Sequence, residues 1–334
     1  MPGDHAQSQP IRDHSSSRIR EAVFDDPAML RSLYAPPAEI QSEPEAAFPL
    51  GFYEELLCEI NRRGIQTLTY EDIFKESDDW DHTTQFAKEH SRWLARRDPR
   101  TISLIIQHDV DNHPFFTERM LAMEAVYGVR SNVFIFRDRF RQDRDDVPYD
   151  VDHGFLKQAE RNGWVIGYHQ NAFALAGFDM NRAIERFEND VAWLRTMYRI
   201  QFMVPHGGAG REIDGTMVRN IDVPIPPSLR RSLRWVYNRY RVKVNASWSD
   251  GGLRKNRDLQ RIRAYDILKF VRELKPGTRN FCLVHPQRWG YNVNMNQNPL
   301  LANEQWYIDM CARHGVLPSA ENDAMSLVPN GEDE

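Results

Sequence analysis

Between about Leu50 and Gly315 the chain alternates between two textures. Short β-branched or aromatic runs read as buried strands: Ile65–Tyr70, Ile102–Gln107, Ser131–Phe136, Trp164–His169, Gln201–Val204, Val242–Ser247 and Arg279–Val284. Between most of them apolar residues recur every three or four positions, as a helix with one buried face requires. The clearest such series is Ile184, Phe187, Val191 and Leu194, after a candidate N-cap at Asp179. Phe115–Tyr127, Gly154–Arg161, Ser228–Tyr240, Ile262–Leu274 and Ala302–His314 read in the same way. Gly128, Gly163 and Gly315 stand where helix C-caps are expected.

Strands alternating with helices predict a parallel sheet. Seven strands suit an α/β barrel, with a doubly wound open sheet as the alternative. Residues 1–49 read as a polar, partly disordered extension, 50–317 as the barrel and 318–334 as a disordered tail. The stretch 211–243 is longer than a plain connection and reads as a lid or inserted helix. Its basic residues include Arg230, Arg231, Arg234, Arg239, Arg241 and Lys243, either as a solvated face or as a contact for an anionic part of a substrate. No Gly-rich phosphate loop follows a strand; the nearest run, Gly207-Gly208-Ala209-Gly210, has His206 before it.

Composition narrows the class further. Hydrophobic residues are 41% of 334 and charged residues 27%, enough apolar material for a large core. A net charge of −5 argues against nucleic-acid binding as the main task. The three cysteines, Cys58, Cys282 and Cys311, are too far apart for a zinc knuckle or redox motif and do not read as a disulfide framework. The start shows no apolar leader, and no run of ~18 apolar residues occurs, so the expectation is a cytoplasmic protein with no transmembrane segment.

Four histidines stand at or just past predicted strand ends: His108, His169, His206 and His285. In parallel α/β folds those ends open on one face, where ligands bind. Imidazoles distant in sequence are therefore expected to meet. Asp109 and Asp111 join them, because residues two apart in an extended segment point to one side, with Val110 turned into the packing. Adjacent carboxylates repel unless a cation or a shared proton lies between them. A carboxylate and imidazoles suit Zn²⁺, or else Fe²⁺, Co²⁺ or Mn²⁺. The loop after Ser247 should reach the same rim: Asp250 is placed to orient an imidazole, and Trp248 and Trp289 to stack on a substrate, or else simply to pack.

These motifs resemble the polysaccharide deacetylase family, carbohydrate esterases that include the chitooligosaccharide and peptidoglycan deacetylases. The resemblance spans roughly residues 52–315 and implies a distorted (β/α)7-type barrel. His108-Asp109-Val110-Asp111 is similar to the Asp-x-Asp variant of the family's first motif, which implies Asp109 as general base and Asp111 as metal ligand. Gly163 to His169 resembles the second motif and implies His169 as a ligand. Leu283-Val284-His285-Pro286 resembles the last motif and implies His285 as general acid. Two departures stand out. Phe173 occupies the position of the family's second ligand His, and the usual third motif is replaced around Pro205-His206-Gly207-Gly208. His206 is expected to supply the missing ligand. Asn171 is a further candidate contact, and His108 is expected to orient Asp109 or touch substrate.

The resemblance implies metal-assisted removal of an acetyl or formyl group from an N-acylated sugar derivative or related small molecule. Water is activated at the metal, Asp109 takes its proton, and His285 protonates the leaving amine. Two other readings stay open at the level of sequence. One is a cyclic amide or ureide hydrolase on the same site. The other is an inactive barrel that binds carbohydrate or a partner, and Phe173 is the feature that favours it.

Overall fold

The computed structural model describes residues 24–36, 43, 46–81, 84–112, 115–139, 149, 151–208, 210–236 and 242–316. The expectations for the first 23 residues and for the tail from 317 lie outside the described residues. Within them, eight strands form one wholly parallel sheet: β1 (Gln66–Thr67), β2 (Ser103–Val110), β3 (Asn132–Ile135), β4 (Val165–Gln170), β5 (Phe202–Pro205), β6 (Arg234–Trp235), β7 (Ala246–Ser249) and β8 (Arg279–Val284). Their order is β7-β8-β2-β3-β4-β5-β6, with β1 beside the start of β2. The sheet curls into a half-barrel with β2 near its middle, compatible with a distorted α/β barrel.

Two apolar layers explain why these strands read as unbroken hydrophobic runs. Ile105, Phe134, Val165, Phe202 and Phe281 point inward and pack with Tyr70 and Phe74. Leu104, Ile106, Val133, Ile166 and Cys282 point outward under the helices. A strand buried on both faces loses the apolar–polar alternation of a half-exposed one. The same period of two fixes the polar residues that follow: Gln107 and Asp109 continue the inner row of Ile105, while His108 and Val110 continue the outer row. Gly167 is glycine for a packing reason, since a Cβ there would overlap the Phe134 ring and reach 3.0 Å from the Phe202 carbonyl.

The helices that bear on the site are α1 (Pro27–Tyr34), α2 (Leu50–Arg62), α3 (Tyr70–Phe74), α4 (Gln85–Arg96), α5 (Phe115–Val126), α6 (His153–Arg161), α7 (Ala172–Leu175) and α8 (Met180–Leu194). Asp179 does cap α8, accepting from Arg182 N at 2.9 Å. Gly128, Gly163 and Gly315 all adopt positive φ just past helix ends. Among the described residues no helix is long and apolar enough to cross a membrane.

Three elements differ from expectation. The run from Ile65 stops as a strand at Thr67, because Thr69 and Asp72 form a capping box that starts α3. The stretch Ile262–Leu274 is two helices, Leu259–Arg263 and Ile267–Glu273, since the Asp266 carboxylate accepts from Lys269 N and opens the second. The expected basic helix at Ser228–Tyr240 is replaced by a 3-10 turn, Pro227–Leu229, and by β6, with 237–241 outside the described residues. Arg234 is not a surface cation. Its guanidinium is buried on Gln85 Oε1 at 2.6 Å and the Ser77 carbonyl at 2.6 Å, and lies 3.8 Å over the Trp80 ring. Residues 211–219 belong to a hairpin, Gly210–Ile213 with Thr216–Arg219, turned by Asp214 and Gly215 at positive φ.

Candidate metal centre

The C-terminal ends of β2, β4, β5 and β8 bring their polar residues to one place. Asp111 lies just past β2, where its N–H folds back on the Asp109 carbonyl at 3.2 Å. His169 Nε2 is 3.1 Å from Asp111 Oδ1, and His206 Nε2 is 3.4 Å from the same oxygen. His285 Nε2 stands 3.8 Å from Asp111 Oδ2. One ligand atom each from Asp111, His169 and His206 lies within 4.8 Å of the others. Zn–N and Zn–O bonds of about 2.0–2.2 Å at tetrahedral angles place neighbouring ligand atoms roughly 3.3 Å apart, close to both contacts with Asp111.

The supports of the two imidazoles also suit a ligand role. His169 Nδ1 faces the Val204 carbonyl at 3.3 Å; donation there leaves the Nε2 lone pair turned to Asp111. Phe136 stacks on His169 at 4.7 Å and 9°, and meets His206 edge-on at 5.2 Å. His206 is placed by β5, with its N–H on the Gln170 carbonyl at 2.7 Å. Gly208 leaves room for the ring: a Cβ there would come 2.6 Å from His206 Nδ1.

Charge follows from this packing. Burial opposes ionisation of Asp111, but His206, His169 and His285 around it outweigh that and hold its carboxyl far below the usual range. Burial also opposes a charge on His169, yet Asp109 and Asp111 raise its pKa. His206 is lowered, burial outweighing Asp111. His285 is buried too, but contact with Asp250, helped by Asp111 and Asp109, lifts it to about 9.

Asp250 is fully buried and has three donors: His285 Nδ1 at 2.5 Å, the His285 backbone N–H at 3.0 Å and Trp289 Nε1 at 2.9 Å. It therefore sits behind the His285 ring, and Nε2 is the atom left for the site. Asp109 is held from the other side, its Oδ1 accepting from Gln107 Nε2 at 2.7 Å, while Gln107 Oε1 accepts from Tyr70 OH at 2.7 Å.

Three expected contacts, those of His108, Trp248 and Trp289, fall elsewhere. His108 is fully buried on the outer face, with Nε2 on Glu124 Oε1 at 2.7 Å, and neither orients Asp109 nor reaches a substrate. The period of two that turns Asp109 inward turns His108 outward. Trp289 is 0% exposed among Phe48, Phe52 and Tyr53, and Trp248 is buried beside it, so neither offers a face to a sugar. Asn171 is fully buried, gives Nδ2 to the Asp138 carbonyl at 2.8 Å and keeps Oδ1 without a partner among the described residues.

Gln107, Tyr70 and Phe136 were missed. Gln107 was readable, standing two before Asp109 on the same row; Tyr70 and Phe136 arrive through tertiary packing and carry no local signal. Phe173 is buried against Phe178 in the outer layer. No known protein-family profile matches the chain, and no curated protein matches it.

Proposed function

We propose that this chain is a metal-dependent amide hydrolase of the polysaccharide-deacetylase kind, removing an acetyl or formyl group from the nitrogen of an amino sugar or a related small molecule. The observation that carries the reading is the convergence of Asp111, His169 and His206 at one point, with Asp109 and His285 beside them. The donor set fits a divalent ion of the zinc type, held by these three residues. When bound there, such an ion would supply Lewis acidity and would lower the pKa of water toward about 7.

The chain's own groups account for the proton movements. Asp109, fixed by Gln107, accepts a proton from the water that adds to the acyl carbon. His285 carries its transferable proton on Nε2, since Nδ1 is committed to Asp250, whose carboxylate favours the charged ring. That proton passes to the nitrogen as the C–N bond breaks, giving a free amine and a carboxylic acid. A placed acid or base of this type contributes about 10²–10⁴ in rate.

The test combines metal analysis with acetate release. Protein purified without chelator should hold close to one equivalent of metal and release acetate from N-acetylated amino-sugar oligomers. Asp109→Asn and His285→Ala should keep the metal and lose turnover. A metal-free protein, or one whose turnover survives both substitutions, would overturn the reading.

A further inference from the structure

The end of the sheet opposite the candidate metal centre holds a cavity of about 370 Å³, at the starts of β1, β2 and β8 between α3, α4 and the turns before β2 and β8. Eight residues separate Ser103 from Asp111, which at about 3.3 Å per residue puts it roughly 26 Å from the candidate metal centre. Its volume is that of a small-molecule site, and too small to admit a folded partner.

Its lining sets five cations, Lys75, Arg92, Arg96, Arg97 and Arg279, against four carboxylates, a balance of +1 in a chain that is net acidic. The carboxylates that share it are already engaged. Glu89 is bound bidentately by the buried Arg279, and Arg96 pairs with Glu76. Asp98 pairs with Arg100, and Asp72 accepts from Thr69 in the capping box. Lys75, Arg92 and Arg97 have no carboxylate at salt-bridge distance among the described residues, although Glu76 acts on Lys75 and Arg92 from farther away. Arg92 gives Nη1 only to the Glu76 carbonyl, at 3.1 Å, and its Nη2 is buried without a partner. Arg97 gives Nη1 to the Gly277 carbonyl at 3.3 Å and lies 5.6 Å over the Trp93 ring. Each guanidinium has five N–H donors in a planar fork, so most of this donor capacity is unspent. Unspent forks in a concave site match the tetrahedral, multiply charged oxygens of phosphate better than any neutral ligand.

We infer that this cavity is a binding site for a small phosphate-bearing molecule, separate from the candidate metal centre. The inference does not depend on the hydrolase reading. It is tested by isothermal titration of the full chain with sodium pyrophosphate. The expected result is one saturable site, weakened about tenfold or more in Arg92→Ala and in Arg97→Ala, and falling as salt is raised. Arg211→Ala, an exposed cation on the Gly210–Ile213 hairpin strand outside the cavity, should bind as the parent does, and so should His206→Ala. Should Arg92→Ala fail to fold, the exposed Arg97→Ala decides alone. No saturation below about 10 mM, unchanged affinity in Arg97→Ala, or loss of binding in His206→Ala would each overturn the assignment, the last by placing the anion at the metal centre. Equal affinity for malonate would overturn the phosphate class.

Discussion

Asp250 grips His285 twice, once through the backbone N–H and once through Nδ1, so the ring cannot turn without breaking a buried charged hydrogen bond. The pair fixes which nitrogen faces Asp111 and raises the ring's affinity for a proton. Replacing Asp250 by Asn keeps the shape and removes the charge. Asp250→Asn should lower kcat by about 10²–10⁴-fold, the scale of a lost acid, with bound metal unchanged. Steady-state kinetics alongside metal analysis checks this. Trp289→Phe removes one of the three donors to Asp250 and should give a smaller loss in the same direction.

Metal content should depend on residues from three strands. Asp111→Asn, His169→Ala and His206→Ala should each reduce metal from near one equivalent to a small fraction, read by atomic emission after gel filtration. Gly208→Ala probes the same point without touching a ligand, because the added methyl invades the space of the His206 ring. Misplacing a ligand's support commonly costs about 10–100-fold in metal affinity, and a competition titration with a chelator should find a loss of that order.

Phe173 invites the opposite experiment, introducing a histidine where the resembled family has one. The side chain is buried against Phe178 in the outer layer, with its N–H facing the Asn220 side chain. Phe173→His should therefore place a polar ring in apolar packing and destabilise the fold by roughly 1–3 kcal/mol without adding metal. Urea unfolding and metal analysis on one preparation separate the two effects.

The outer face of β2 predicts an acid limit to stability. Glu124 accepts from Tyr53 OH at 2.5 Å, Ser131 Oγ at 2.6 Å, Trp164 Nε1 at 2.7 Å and pairs with His108 at 2.7 Å. Burial raises its pKa, but His108, Ser131 and Tyr53 outweigh this and leave it lowered. A folded pKa below the unfolded one, near 4.3, gives stability that is complete above that value and is lost as pH falls through the folded one. Glu124→Gln should flatten that acid slope in urea titrations repeated across pH, and lower stability at neutral pH by roughly 1–3 kcal/mol. A mutant with the parent's acid slope would show that other carboxylates set it.

How far the sequence carries can be judged from individual elements. Buried strands were legible where both faces are apolar, as at β2, β4 and β8, because a short unbroken apolar run bounded by turn residues suits a strand covered on both sides. Short strands were not: β6 is two residues long, and Arg234 inside it reads as a surface cation until its partners Gln85 and Ser77, from distant segments, are seen. In the site, residues on a strand's inner row follow from counting in twos. That count applied to β2 includes Gln107 and excludes His108. Trp289 could not be placed by counting, since its burial depends on Phe48 and Phe52 from the other end of the chain.

Gln107 gives the sharpest test of that counting, because it touches Asp109 but none of the three ligand atoms that cluster nearby. Its amide has one donor on Asp109 and its oxygen on Tyr70 OH, so it fixes the carboxylate without adding charge. Gln107→Leu keeps the volume, frees Asp109 and strands the buried Tyr70 hydroxyl. Turnover should fall about 10²-fold, since the base loses its orientation, while metal content stays at the parent's level. Gln107→Glu should be worse, because a second carboxylate beside Asp109 repels it or must take up a proton. Tyr70→Phe removes only the outer hydrogen bond and should leave most of the turnover. If all three variants turned over alike, Gln107 would serve the packing of the half-barrel and have no part in holding the base.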